Sequence, residues 1–234
     1  MPMAQALRAM VLLLMIGFSP GFAWGLAIGQ RDTFEDGTTN GWSVSTFDPL
    51  NPLPLVNVPA GGPGGASDSF LQITAVESPG PGNRLSAVNI RQWTGDFIAG
   101  GITSIRMDLR NLGNIELSLR LLFTDATGGL PANAAFSTVP FLLPTGGDWV
   151  TGLFPISASD LTPAIGSVSA VLHSTAELQL YQAVAASLQS EAITGSLGVD
   201  NITATPEPTS VVLLGSGLLA LYSLKTWRGR KLRA

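Results

Sequence analysis

No cysteine occurs anywhere in this 234-residue chain, which excludes a disulfide framework, a thiolate metal site, a catalytic thiol and an iron–sulfur cluster. Histidine occurs once, as His173, and there is no HExxH, phosphate-binding loop or dinucleotide fingerprint. Lysine is missing until Lys225, so between residues 28 and 205 only six arginines face fifteen acids, a balance of −9. A segment this acidic repels phosphate backbones, and nucleic acid is excluded as a partner. Charge as a whole is sparse at 12%, whereas 27 glycines and 16 prolines supply breakers, the composition of short strands joined by turns rather than of a helical bundle. The length suits one such domain with appendages.

The appendages sit at the two ends. Arg8 precedes an apolar run over 9–18, then Pro20 and Gly21 break it and small residues follow at Ala23 and Ala27. That is the layout of a cleavable signal peptide. As a helix the run reaches about 15 Å, half of a hydrocarbon core of about 30 Å, so it does not anchor the chain permanently. Cuts after Ala23 and after Ala27 both meet the small-residue requirement, and Ala27 is preferred. The resulting plan is a signal peptide over 1–27, a domain over 28–205 and a tail over 206–234.

The tail has three parts. Pro206, Glu207 and Pro208 hold an extended peptide that cannot continue a strand ladder. Residues 209–224 are uncharged and mostly apolar, and with Lys225 snorkelling and Trp227 at the interface they predict one transmembrane helix over 209–227. Arg228, Arg230, Lys231 and Arg233 close the chain with a basic cluster that stays in the cytoplasm, which places the preceding domain outside. This arrangement resembles the PEP-CTERM class of exported proteins. The resemblance implies a Gram-negative bacterium that makes exopolysaccharide, a precursor tethered in the inner membrane, and an exosortase that reads the Pro-Glu-Pro motif before the domain reaches the cell surface or extracellular matrix.

Within the domain, Ile105, Met107 and Leu109 alternate with charged residues, and Ile115, Leu117, Leu119, Leu121 and Phe123 alternate with mostly polar ones. Period two predicts half-buried strands, and residues 111–114 between them predict a hairpin with Gly113 free to take positive φ. Further strands are expected over 41–47, 70–76, 87–93, 149–155, 167–173 and 197–203, while Leu180, Val184 and Leu188 recur at intervals of four and leave 177–188 open to a short helix. The fold class expected is all-β, an antiparallel β-sandwich of jelly-roll type.

Phe34-Glu35-Asp36-Gly37 leading to Trp42, together with Val199-Asp200-Asn201-Ile202, is similar to the first and last strands of jelly-roll carbohydrate-binding modules. That resemblance implies terminal strands lying side by side and a structural calcium ion held by Glu35 and Asp200, with Asp36 or Asp68 helping. Calcium takes six to eight hard oxygen ligands, which acidic loops and carbonyls provide without cysteine or histidine. Sugar-binding modules stack pyranose rings on exposed aromatics, and the candidates are Trp42, Trp93, Trp149 and Tyr181. Trp42 is assigned to the core and Trp93 to glycan binding. His173 beside Ser174 is the only hint of nucleophilic catalysis, no nucleophile elbow accompanies it, and no pair of carboxylates stands out, so no catalytic residue is assigned. Three functions follow in order of preference: a non-enzymatic surface or matrix protein associated with exopolysaccharide, a module that recognises glycans, and a polysaccharide hydrolase or lyase.

Overall fold

Alternation along the strands gives each one an apolar face, and two sheets bury those faces against each other. The computed structural model describes residues 26–44, 53–76 and 83–206. The predicted leader up to residue 25 lies outside the described residues, as does the tail from Glu207 onward with its apolar span and basic cluster. Among the described residues no helix is long and apolar enough to cross a membrane.

Strands are numbered in chain order. The front sheet runs β10 (Val150–Pro155), β6 (Ser104–Asn111), β13 (Gly195–Thr205), β4 (Phe70–Ala75) and β3 (Val56–Val58), and β1 (Arg31–Asp32) also pairs with β13. The back sheet runs β11 (Leu161–Ile165), β8 (Ala134–Ser137), β7 (Leu117–Thr124), β12 (Glu177–Gln182), β5 (Ser86–Asn89) and β2 (Trp42–Ser43), and β9 (Phe141–Leu143) pairs with β7 below β8. Strand pairing is antiparallel in both sheets, which makes the domain the expected antiparallel β-sandwich. Ile105, Met107 and Leu109 of β6 and Leu117, Leu119, Leu121 and Phe123 of β7 belong to one interior cluster and are fully buried.

Three local expectations change. The segment after Asn111 is not a hairpin: β6 lies in the front sheet and β7 in the back sheet, so the chain crosses the core there. The Asn111 carboxamide shapes this corner, donating to the carbonyls of Ile115 and Leu143 at 2.7 and 3.1 Å and accepting from Gly113 N–H at 3.0 Å. Gly113 matters for closeness rather than φ, since a Cβ there would meet the Ser196 nitrogen at 3.2 Å. Residues 167–173 form a helix, α1 (Val168–His173), instead of a strand. Ser167 caps it by accepting from Ala170 N–H at 3.1 Å, and Val168, Val171 and Leu172 bury the i, i+3, i+4 face. Conversely, 177–182 is strand β12, with Leu178 and Leu180 in the core, and Val184 and Leu188 lie beyond its end and are exposed.

The first and last strands do lie side by side, with Arg31 opposite Thr203 and Asp32 opposite Ile202. Beyond them Gly29 N–H donates to Ala204 O at 2.9 Å, and Leu26 is packed in the interior cluster. Asp32 is the junction of the two sheets. Its Oδ2 accepts the indole N–H of Trp42 at 2.8 Å and of Trp93 at 2.7 Å, and Gln92 Nε2 donates to the same atom at 3.1 Å. Burial pushes this carboxyl up from its usual range, and the two indoles and Gln92 pull it back toward the ionised form.

Replacing Asp32 with alanine leaves two buried indole donors unsatisfied and is expected to cost about 3–5 kcal/mol, read as a lower urea midpoint. Asn at this position keeps one acceptor and should cost less. Equal midpoints for Asp32→Ala and the wild type would remove this junction from the account of stability.

Candidate functional site

The outer face of the back sheet is a groove rather than an open surface. Alternation along β12 sends Leu178 and Leu180 into the core, and so turns Glu177, Gln179 and Tyr181 outward. The same rule on β7 turns Ser118, Arg120, Leu122 and Thr124 outward, with Glu177 opposite Thr124 and Gln179 opposite Leu122 in the register. A cavity of about 340 Å³ lies over these strands, with Glu177, Gln179, Thr124, Ser86 and Arg84 on its floor side, Gln189 and Ser190 in one wall, and leucine, isoleucine and proline as most of the rest.

Two chain segments raise the walls, and each is fastened by polar side chains. Asp125 holds the 126–133 segment by accepting from Ala132 N–H at 2.9 Å, Asn133 N–H at 3.0 Å and Asn133 Nδ2 at 2.8 Å, bonds that keep its carboxyl below the usual carboxylate range. The 184–191 segment is held by Tyr181, whose hydroxyl donates to Ser187 O at 2.7 Å, and by Arg120. Arg120 is almost fully buried and, among the described residues, has no carboxylate partner. Its guanidinium instead donates to the carbonyls of Ala183, Ser137, Thr138 and Val184 at 2.6–3.0 Å, which also seals the gap between β8 and β9 along the edge of β7. On the floor, Glu177 is 2% exposed and its Oε2 has no hydrogen-bond partner. Burial raises its carboxyl above the usual range.

A second uncompensated carboxylate lies in the front sheet. Asp200 is 0% exposed and neither of its side-chain oxygens has a hydrogen-bond partner. It sits where the β13–β6 register shifts, next to Asn201 at φ 52°, a bulge in which Asn201 Nδ2 donates to Asp108 Oδ2 at 2.8 Å. Burial pushes Asp200 up to about 7; the Asn201 backbone N–H opposes this, and Asp68, Asp108 and Glu35 reinforce it by charge repulsion.

Glu35 and Asp200, predicted as a pair, are therefore electrostatic neighbours. Asp68 belongs with them, and Asp108 is a member that strand alternation had presented only as an outward charge. Asp36 is turned away, accepting from Thr38 N–H at 2.9 Å in its own turn. Glu35 Oε1 accepts from Ser69 N–H at 2.9 Å and Asp68 Oδ2 from Gly64 N–H at 2.6 Å. Among the described residues no three acidic or histidine side chains converge as a ready-made metal cage.

The aromatic candidates fare differently. Trp93 is 0% exposed, and its assignment to glycan binding is corrected: with its indole N–H committed to Asp32 and its ring in the core, it cannot stack on a sugar. Trp42 is a core residue, as expected, and Tyr181 is fully buried beneath its wall. Trp149 lies partly exposed on the front sheet, edge-on to Phe70 at 5.2 Å and donating to Gly61 O at 2.9 Å. His173 Nδ1 pairs with Asp96 Oδ2 at 2.9 Å in an exposed position, and Ser174 Oγ donates to Ala170 O at 3.0 Å, so serine and histidine do not form a nucleophile–base pair. The groove escaped sequence reading because its walls come from loops far apart along the chain. The signal available was a glutamate and a glutamine alternating with leucines in β12.

No protein-family model matches the chain, and no curated protein matches it. Solved structures resemble its fold. An exo-β-agarase aligns at 15% identity and a TM-score of 0.55 over 78% of this chain and 26% of its own. Another agarase aligns at 11% identity and a TM-score of 0.51 over the same shares. A family 11 carbohydrate-binding module from Clostridium thermocellum, solved with a β-1,3-1,4-mixed-linked tetrasaccharide, aligns at 14% identity and a TM-score of 0.49 over 77% of this chain and 97% of its own. The chain spans about a quarter of the length of the agarases it matches, and the likeness is one of fold.

Since Asp200 titrates near 7 when folded and near 3.8 ordinarily, its protonation favours the folded state. That contribution is complete below about pH 3.8 and is lost as pH rises through about 7. Between pH 5 and pH 8, in chelator, the wild type is expected to lose about 2–3 kcal/mol that Asp200→Asn does not lose. Parallel pH profiles for the two proteins would show that Asp200 is not a strained acid.

Proposed function

We propose that this chain is an exported glycan-binding module, held and then sorted by its C-terminal tail, and that it is not a hydrolase or lyase. The observation that carries the reading is the walled groove on the back sheet. A module serving only as a structural element gains nothing from burying an unpaired carboxylate, which costs stability until a ligand supplies donors. Sugar hydroxyls donate and accept, and the Gln179 amide, the Thr124 and Ser86 hydroxyls and the Glu177 carboxylate line one cavity of a size suited to small ligands. Glu177 is the single acid in that lining, whereas glycoside hydrolysis by paired carboxylates requires two flanking the bond. This favours binding over both a purely structural matrix role and catalysis.

The export reading stands beside it. Burial of Leu26 in the core supports a signal-peptide cut after Ala23 over one after Ala27. Pro206, Glu207 and Pro208 are read by an exosortase-type enzyme while the 209–227 helix holds the precursor in the inner membrane, and the module acts at the cell surface or in the matrix on extracellular polysaccharide. The orphaned oxygens of Asp200 support a structural calcium ion there, held with Glu35 as a further carboxylate. Bound there, it would neutralise the mutual repulsion of Asp200, Glu35, Asp68 and Asp108.

Affinity electrophoresis of the purified full-length chain through gels containing polysaccharide tests the groove. Retention is expected, and Gln179→Ala should weaken it about five- to tenfold with an unchanged melting temperature. Unretarded migration through neutral, acidic and amino polysaccharides alike would refute the glycan reading. Calcium added to the pH titration of Asp200 should abolish the loss between pH 5 and pH 8 in the wild type, and an unaltered profile would remove the metal.

For the tail, mass spectrometry of the mature extracellular protein should begin at Trp24 and contain no peptide from beyond Val211, and a mature form that retains Trp227 would reduce the tail to an ordinary anchor.

A further inference from the structure

The groove's charge and its lining together narrow what enters it. Accepting that the groove binds glycans, we infer that it selects amino sugars, glycan chains whose units carry a free protonated amine. Three features of the molecule converge on this. The Glu177 carboxylate lines the floor, is 2% exposed, and its Oε2 has no donor from the protein. A neutral hydroxyl satisfies such a group partly, whereas an ammonium satisfies both its hydrogen-bonding capacity and its charge. The usual means of gripping an uncharged pyranose, an exposed aromatic face, is missing from the lining: its residues are Leu122, Leu130, Pro131, Ile165 and Leu188 beside the polar groups, and Tyr181 is buried under the wall. The domain as a whole carries −9 between residues 28 and 205, a field that draws cationic chains and repels uronic or sulfated ones.

Arg84 is the one base in the lining and runs against a cationic ligand. It is half-buried where Glu177 is almost wholly enclosed, and no ion pair joins the two among the described residues. Glu177 is thus left without a counter-ion, and Arg84 modulates affinity rather than cancelling the acid. Glu177 is 2% exposed, and a charge-assisted hydrogen bond gains strength where the dielectric is low. An acetylated amine has lost its charge and its ammonium donors, and so gives up this contact.

The experiment compares the purified full-length chain with a glucosamine hexamer, its fully N-acetylated counterpart and a cellulose-type glucose hexamer, by calorimetry at about pH 6 and low salt. The glucosamine hexamer is expected to bind at least about tenfold more tightly than either of the others and to lose that advantage as salt is raised. Glu177→Gln, which preserves shape, should remove the preference while leaving weak binding to the glucose hexamer, and Arg84→Ala should strengthen glucosamine binding. Should Glu177→Gln fail to fold, the Arg84→Ala result and the salt dependence still decide. Equal or tighter binding of the acetylated or glucose hexamer would overturn the amino-sugar inference and leave the glycan reading in place. Binding of none of the three, with no polysaccharide retained in gels, would overturn both.

Discussion

One carboxylate holds the two sheets in a single arrangement. Asp32 lies on β1, which is hydrogen-bonded to the last strand of the front sheet, and it accepts the indoles of Trp42 on β2 and of Trp93 in the turn that follows β5, both in the back sheet. Two large rings can be buried completely only because their N–H groups end on this acceptor, and the acceptor can remain inside only because the donors reach it. Around it the rest of the sandwich falls into place: the first strand is pinned beside β13, Leu26 is carried into the core, and the chain enters and leaves the domain along the same pair of strands. The same interaction takes Trp93 away from any sugar.

Measured against Asp32, the other two buried acids stand out by what they lack. Asp200 and Glu177 are as enclosed as Asp32, yet Asp200 has no hydrogen-bond partner at either oxygen and Glu177 none at Oε2. Each lies on the outer side of its strand, Asp200 at a bulge in the front sheet and Glu177 beneath the walls of the back sheet. Folding that leaves such groups uncompensated forgoes stability, and a cation at one and a donor-rich ligand at the other would restore it. The two groups lie on opposite sheets of the sandwich. Arg120 belongs to the groove side, where its four carbonyl partners set the height of one wall.

Much of the scaffold was legible from residue order. Alternation around 105–110 and 115–123 and candidate strands at 70–76, 149–155 and 197–203 lie within a few residues of the strands observed there. The short segments resisted. In 167–173 the choice fell to a serine cap and a helix, and in 177–182 to pairing with strands β5 and β7, while Val184 and Leu188 lie beyond the strand.

Composition and order by themselves determined that this is an acidic, cysteine-free, breaker-rich all-β domain between a leader-like start and a span-like, basic end. These are properties of segments, and each follows from residues close together in the chain. Only the tertiary structure decided which sheet each strand joins, that Trp93 is sealed in the core, and that Glu177 is left without a donor on the floor of a groove. Those outcomes depend on contacts between residues tens of positions apart, such as Asp32 with Trp93 and Arg120 with Val184. Alternation says that a face is buried but not against what, and the partner that buries it is known only once the chain has closed on itself.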